Sequence, residues 1–507
     1  MICSVHTLGI TGIQGSPVVA ECYISNGLPG FDIVGLPDMA VREARQRVKA
    51  AAESCGIPFP DMELVVNLAP ANRRKEGSAF DVAMLTAILQ CGGIIPRDIS
   101  MENYCFIGEL SLSGHIREVC GVLNMTLSAY EAGKREIFVP VGNVAEAAAV
   151  EGMTVYGVPS IGALIDHLTG REKLIAVIPK AVDLNAIPES LDFCDVKGQK
   201  RVKRALEIAA AGNHNILMIG APGSGKSMLA KRMPSILPPL TFPEAVETTK
   251  IHSVAGLLGD GGLVTTRPFR APHHTMSAAS LVGGGKIPEP GEIALASGGI
   301  LFLDELPEFS RTVTESLRQP LEDGQVTITR AAGRFTFPCH IMLVCAMNPC
   351  PCGYYGSDVR QCTCKKDAIS KYLAKISGPL LDRIDMHVEV PSLSFDEMSR
   401  TEKEESSSAI RERVVRAREF AARRFADGNG VPNGMLTPAQ IQEMCIPDEA
   451  GKAILRRAMD KMGLSARGYD RILRVSRTIA DLAGSESITA AHVAEAVQLR
   501  ALDRKYW

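Results

Sequence analysis

The stretch from Asn215 to Arg232 constrains this chain more than any other. The run Asn215-Ile216-Leu217-Met218-Ile219 is short and apolar, like a buried strand. Gly220-Ala221-Pro222-Gly223-Ser224-Gly225-Lys226-Ser227 follows, and Met228-Leu229-Ala230-Lys231-Arg232 then reads as a helix. The middle segment fits the pattern G-x-x-x-x-G-K-S/T. In that pattern glycines let backbone N–H groups close around phosphate oxygens, and the start of the next helix adds positive potential. On this reading Gly220, Pro222, Gly223, Ser224 and Gly225 shape a phosphate cradle. Lys226 reaches the β- and γ-phosphates of ATP, and Ser227 ligates Mg2+.

A second segment supports the first. Gly299-Ile300-Leu301-Phe302-Leu303-Asp304-Glu305 is an apolar strand ending in two carboxylates. Such an ending is common by itself, but downstream of a phosphate loop it points to ATP hydrolysis. Asp304 is then expected to hold Mg2+, directly or through water, and Glu305 to orient and deprotonate the attacking water. Val344-Cys345-Ala346-Met347-Asn348 is a further apolar strand. In one sheet with the others it brings Asn348 to the γ-phosphate; its plain alternative is a solvated strand end. In Ser377-Gly378-Pro379-Leu380-Leu381-Asp382-Arg383-Ile384-Asp385, Arg383 either points at a neighbouring subunit or pairs with Asp382 or Asp385. Arg467 opens a helix and is the candidate for a γ-phosphate contact from a helical lid, with Arg471 and Arg474 competing.

At 507 residues, roughly three domains are expected. The 46% apolar and 22% charged composition suits a globular protein with several cores. A net charge of −2 excludes a broadly basic nucleic-acid coat but permits a local basic channel. No apolar run reaches the about 18 residues of a membrane span. The start Met1-Ile2-Cys3-Ser4-Val5-His6 shows no secretory pattern, so a cytoplasmic protein is expected, with most of its 14 cysteines reduced.

Organisation follows the hydrophobic periods. Residues 1–170 alternate strand-like and helical runs in an α/β or α+β unit without a phosphate loop: helices at Ala40–Cys55 and Ala79–Gln90, strands at Glu63–Leu68, Ile137–Val139 and Thr154–Tyr156. Residues 171–195 read as a linker and 196–392 as the nucleotide core, within which 252–298 looks like loop insertions. Residues 393–507 are helical, with a charged helix from Glu402 to Phe425 and further helices at Asp448–Met462, Arg467–Ala483 and Ala490–Arg504.

Three more constellations stand out. Cys350, Cys352, Cys362 and Cys364 form two C-x-C pairs, and four thiolates can surround Zn2+ tetrahedrally; reduced thiols in a polar loop are the alternative. Gly324 to Phe337 reads as a β-hairpin turning at Ala331-Ala332-Gly333. Arg330 and Arg334 flank the turn, where two cations suit a phosphate backbone such as that of DNA, or merely a solvated turn. His273-His274 is better explained as part of a loop than as a ligand.

Taken together, these residues resemble the YifB/ComM family of magnesium-chelatase-like AAA+ ATPases. The stretches carrying the resemblance are Gly30-Phe31-Asp32-Ile33-Val34-Gly35-Leu36-Pro37, Asn67-Leu68-Ala69-Pro70-Ala71, Pro290-Gly291-Glu292-Ile293, Asn348-Pro349-Cys350-Pro351-Cys352-Gly353, Ser377–Asp385 and Arg477-Thr478-Ile479-Ala480-Asp481-Leu482. They run nearly end to end. The resemblance implies an AAA+ core with a parallel sheet and a hairpin before the sensor-1 strand, and a C-terminal helical lid. It implies Asn348 as sensor 1, Arg383 as an arginine finger in trans and Arg467 as sensor 2. It also implies a hexameric ring and, for ComM members, DNA helicase activity driving branch migration during natural transformation.

The N-terminal domain resembles the Lon-protease fold, an S5-type α+β unit, but its chemistry departs. Ser78, in Lys75-Glu76-Gly77-Ser78-Ala79-Phe80-Asp81, is not clearly in the nucleophile's place, and Gly121-Val122-Leu123-Asn124-Met125 lacks the dyad lysine. A non-proteolytic scaffold is expected, since an activated serine needs a base. A magnesium-chelatase ATPase subunit and a Lon-like protease are the alternative functions. The intact nucleotide residues speak against a non-enzymatic scaffold.

Overall fold

The computed structural model describes residues 2–179, 182–184, 191–259, 261–285, 288–330, 333–357, 360–393, 397, 399, 404–426, 430–462, 464–502 and 506. Its centre is a five-stranded parallel sheet. The strands lie in the order Phe269–Arg270, Ile300–Leu303, Met342–Met347, Ile216–Gly220, Met386–Val390. Residues from Ile300 to Leu303 and from Met342 to Met347 are all buried, the continuous apolar signature of strands covered on both faces. One face packs on the helix Lys200–Gly212 and the C-terminal helices; the other packs on the segment from Leu281 to Leu317 and the arginine hairpin. The carboxyl ends of the strands therefore line one edge, where α/β sheets bind ligands.

The region 252–298 is more ordered than its Gly, Pro and His content suggests. Phe269–Arg270 enters the core sheet beside Ile300–Leu303, with the Phe269 ring stacked 5.9 Å from Phe302. Short helices span Ala278–Val282 and Glu292–Leu295, and Arg270 forks onto Glu292 at 2.6 and 2.7 Å. Tertiary pairing rather than propensity sets these short elements.

The N-terminal unit holds two sheets. Strands Ile2–Thr11, Gln14–Ser25 and Glu63–Ala69 run antiparallel, and Gly30–Val34 joins the last in parallel. Tyr104–Phe106, Glu136–Pro140 and Thr154–Val158 form a parallel sheet. Helix Asp81–Cys91 is buried all round, as a helix with few polar positions must be. The expected linker at 171–195 is tied at both ends: Val177 N–H donates to Val155 O, and Phe193 is wholly buried in the central core. Residues 180–181 and 185–190 of it lie outside the described residues.

Two of this unit's contacts with the core stand out. Glu146, 6% exposed, accepts from Ser253 Oγ at 2.6 Å and from the Leu123 N–H at 3.1 Å. At the other point the turn after Ile2–Thr11 reaches the hairpin, where a Cβ on Gly12 would lie 3.1 Å from the Phe335 ring.

Helices Ser407–Ala422, Pro438–Met444, Glu449–Met462, Ala466–Leu482 and Ala490–Gln498 make up the C-terminal region. The charged helix starts at Ser407, capped by Ser406; Glu402 and its neighbours 400–403, Gly428–Asn429 and Arg504 lie outside the described residues. A buried polar seam ties this region to the sheet. Arg424 and Arg477 converge on Asp481, and Thr478 meets His214 at 2.8 Å.

Candidate nucleotide-binding site

Strand Ile216–Gly220 delivers the phosphate loop to the carboxyl edge. Gly223 and Gly225 stand at φ +76° and +92°, left-handed backbone that turns successive N–H groups inward and favours glycine. Gly220 is needed for space: a Cβ there would lie 2.4 Å from Val390 O. Helix Lys226–Arg232 follows directly.

The flanking strand supplies the next groups. Lys226, only 8% exposed, donates to Gly220 O at 2.8 Å, Ala221 O at 3.0 Å and Asn348 Oδ1 at 3.2 Å. Burial lowers its pKa, opposed by the charges of Asp304 and Glu305, so the site disfavours the ammonium until it meets a counter-charge. Ser227 Oγ donates to Asp304 Oδ2 at 2.5 Å. These two hard oxygen donors on one point are the donor set that Mg2+ takes. Glu305 occupies left-handed backbone at φ +54°, which swings it out of the strand line; its side chain is 54% exposed.

His274, which the sequence reading set aside as part of a loop, stands beside the acidic strand. Its Nδ1 lies 3.6 Å from Glu305 Oε2. Its ring lies 4.1 Å from His273 and 6.4 Å from Phe309. His273 Nδ1 and Thr275 Oγ1 meet at 2.9 Å. The available signal was position: a histidine pair just beyond a strand that turns out to neighbour the acidic strand.

Arg383 and Arg467 lie elsewhere. Arg383 precedes Met386, which pairs with Ile216 at the amino end of the phosphate-loop strand. Arg383 binds the Arg318 and Pro379 carbonyls and pairs with Glu322 rather than with Asp382 or Asp385. Arg467 shares Glu322 at 3.3 Å. Its competitors are engaged: Arg471 with Asp385 at 3.4 Å and Arg474 with Leu436 O at 2.6 Å.

Cys350, Cys352, Cys362 and Cys364 come together, with every sulfur within 4.8 Å of the others. Three of the separations are 3.3, 3.6 and 3.7 Å, against about 3.8 Å for thiolates on a tetrahedral Zn2+ with 2.3 Å bonds. Burial opposes ionisation of Cys352, but backbone N–H groups of Tyr354 and Thr363 bring its pKa down to about 5.

The hairpin pairs Gln325–Arg330 with Gly333–Pro338; the turn residues Ala331 and Ala332 lie outside the described residues. Val326, Ile328 and Phe337 face the core, while Arg330 and Arg334 are exposed and have no acidic partner among the described residues. In the N-terminal unit Ser78 donates to Glu109 and Lys75 to Pro70 O. Asn124, in the segment expected to carry a dyad lysine, gives its amide to Ile13 O at 2.5 Å.

Comparison with known proteins covers the whole chain. The family model "Magnesium chelatase, subunit ChlI" matches residues 192–398, "Subunit ChlI of Mg-chelatase" matches 20–143, and the ChlI C-terminal model matches 404–500. Competence protein ComM of Haemophilus influenzae is 41% identical over 505 residues, 99% of this chain and 97% of that protein. Protein YifB of Escherichia coli is 39% identical over 501 residues, with the same coverage of each chain. Lon protease 1 of Herpetosiphon aurantiacus is 28% identical over 201 residues, 37% of this chain and 24% of that protein.

Proposed function

Because this chain belongs to the YifB/ComM family of magnesium-chelatase-like AAA+ ATPases, we propose that it is an ATP-hydrolysing motor, a hexameric ring that remodels DNA by branch migration in recombination or natural transformation. The observation that carries this reading is one convergence. Lys226, Ser227, Asp304 and Asn348 meet at the carboxyl ends of neighbouring parallel strands. On the same chain two unpaired arginines stand exposed on a hairpin. The relative from Haemophilus influenzae carries competence in its name. No helix among the described residues is long and apolar enough to cross a membrane, and we place the ring in the cytoplasm.

Mg2+ held by Ser227 and Asp304 would neutralise phosphate charge. Lys226 binds the β- and γ-phosphates, whose charge adds to that of Asp304 and Glu305 against the cost of its burial. Glu305 takes a proton from the attacking water, and Asn348 orients the γ-phosphate side of the site. Arg383 and Arg467 sit at the amino end of the sheet. The strand Ile216–Gly220 alone separates that end from the chain's own phosphate loop by about 13 Å. This supports their acting on a neighbour's nucleotide, with Glu322 as the shared anchor. The four cysteines form a closed Zn2+ site.

ATP turnover measured with and without forked or four-way-junction DNA tests the reading. The expected result is stimulation by DNA and loss of all turnover in Lys226→Ala. The three ChlI family models favour a second reading, a chelatase-type ATPase subunit, for which turnover is indifferent to DNA.

A further inference from the structure

The cysteine cluster is built into the wall of the nucleotide site. Cys350 follows Asn348 by two residues on the same strand exit. Gly353, in the turn closed by its N–H to Cys350 O at 2.9 Å, lies against the phosphate loop. A Cβ built on Gly353 would sit 2.4 Å from Pro222 Cδ and 2.6 Å from Pro222 Cγ. At the far end of the cysteine loop, helix Lys366–Leu373 starts two residues after Cys364. Its Tyr372, 7% exposed, packs in one cluster with Met347 and Cys350, and the Asn348 backbone N–H works against burial in setting the pKa of its hydroxyl. One side of the loop therefore seats Pro222 of the cradle, and the other seats Asn348.

We propose that Zn2+ at Cys350, Cys352, Cys362 and Cys364 sets the shape of the nucleotide pocket, so that metal and nucleotide binding are coupled through the Gly353–Pro222 and Tyr372–Asn348 contacts. This rests on the ATP and Zn2+ assignments above and adds the coupling between them. Without the metal, the loop from Cys350 to Cys364 loses the tie between its two C-x-C pairs, and both contacts lose their backing. Coupling of this kind is reciprocal: whatever factor Zn2+ adds to nucleotide affinity, nucleotide adds to Zn2+ affinity.

The experiment uses the full chain. Zinc content is measured first by elemental analysis. Binding of a fluorescent ATP analogue is then titrated on the zinc-loaded and chelator-stripped protein, and zinc loss to a chromophoric chelator is timed with and without saturating ATP. The expected results are one zinc per chain, analogue affinity at least about tenfold weaker after stripping, and zinc release slowed by ATP. Zinc below about 0.2 equivalents, against the one a closed site requires, overturns the metal assignment and the coupling with it. Full zinc with unchanged analogue affinity and unchanged release overturns the coupling alone. Two variants keep all four sulfurs and answer the case in which stripping unfolds the chain. Gly353→Ala pushes a methyl group into Pro222, and Tyr372→Phe removes the hydroxyl beside Asn348. Both should retain one zinc and bind the analogue several-fold more weakly, and parental affinity in both also overturns the coupling.

Discussion

His274 Nδ1 lies 3.6 Å from the Glu305 carboxylate, across 31 residues of sequence and at the junction of two neighbouring strands. A carboxylate that must take a proton from water has to be aimed, and Glu305, in left-handed backbone, has this imidazole beside it. Glu305→Gln should bind ATP and lose about 10²–10⁴ in kcat, the range for a general base. His274→Ala should lower kcat by a smaller factor, about tenfold, with KM for ATP held within about twofold, because the ring meets no group of the phosphate cradle. His274→Gln, which can still donate, should recover part of the loss. Steady-state hydrolysis decides it: an unchanged kcat in His274→Ala removes that residue from the reaction.

Arg383 and Arg467 share Glu322. Arg383→Ala should leave ATP binding intact and cut hydrolysis in the assembled ring by about 10³–10⁵, as an arginine finger does. Rings mixed from Arg383→Ala and Glu305→Gln subunits contain some interfaces with both groups intact, so activity should rise above that of either parent. Failure at every mixing ratio rules out action across the interface. Arg467→Ala should show the same rescue.

If the hairpin grips DNA as proposed, Arg330 and Arg334 supply two phosphate contacts from each engaged subunit. Replacing both by alanine should flatten the plot of log Kobs against log salt by about 0.9 for each phosphate contact removed, weaken unwinding and spare basal hydrolysis. Parental unwinding by the double variant shows that DNA is gripped elsewhere.

Asp385 gives a pH signature. Burial works to raise its pKa, but His214 at 3.6 Å, the Arg471 charge and the Asn215 N–H hold it below its ordinary value. Its contribution to stability is therefore full above the unfolded carboxylate value, about 4, and is lost as pH falls through the lower folded value. Asp385→Ala should cost about 3–5 kcal/mol near pH 7, the penalty of breaking a buried pair. In urea titrations the gap from the parent should stay level from pH 8 to pH 5 and close only in acid. A gap that closes between pH 8 and pH 6 shows that the Asp385 carboxylate is not its source.

The strand–loop–helix from Ile216 to Arg232, the acidic strand and the Asn348 strand were legible because each carries its own local pattern: an apolar run and a fixed spacing of glycine, lysine or carboxylate. Their gathering at one edge follows from parallel strands. The entry of Phe269–Arg270 into the sheet was hidden, because a two-residue strand has no period to read and is held by Phe302 and Glu292. His274 was hidden with it. Glu322 was hidden because it sits in an ordinary polar stretch and acquires meaning only when a helix from residue 466 onward docks beside residue 383. The Gly353–Pro222 contact joins two loops that no local spacing relates.

The contact between Gly12 and Phe335 has a mechanical consequence. The turn that carries Gly12 is gripped by Asn124 at Ile13, and Glu146 on the same unit is bolted to Ser253. The N-terminal unit is thus held to the core at Ser253 and again beside Arg334, near the turn of the arginine hairpin. On the proposed reading, a force on the hairpin would reach the N-terminal sheets through these contacts, and a load on those sheets would return the same way. In that reading the N-terminal unit is the housing against which the hairpin works.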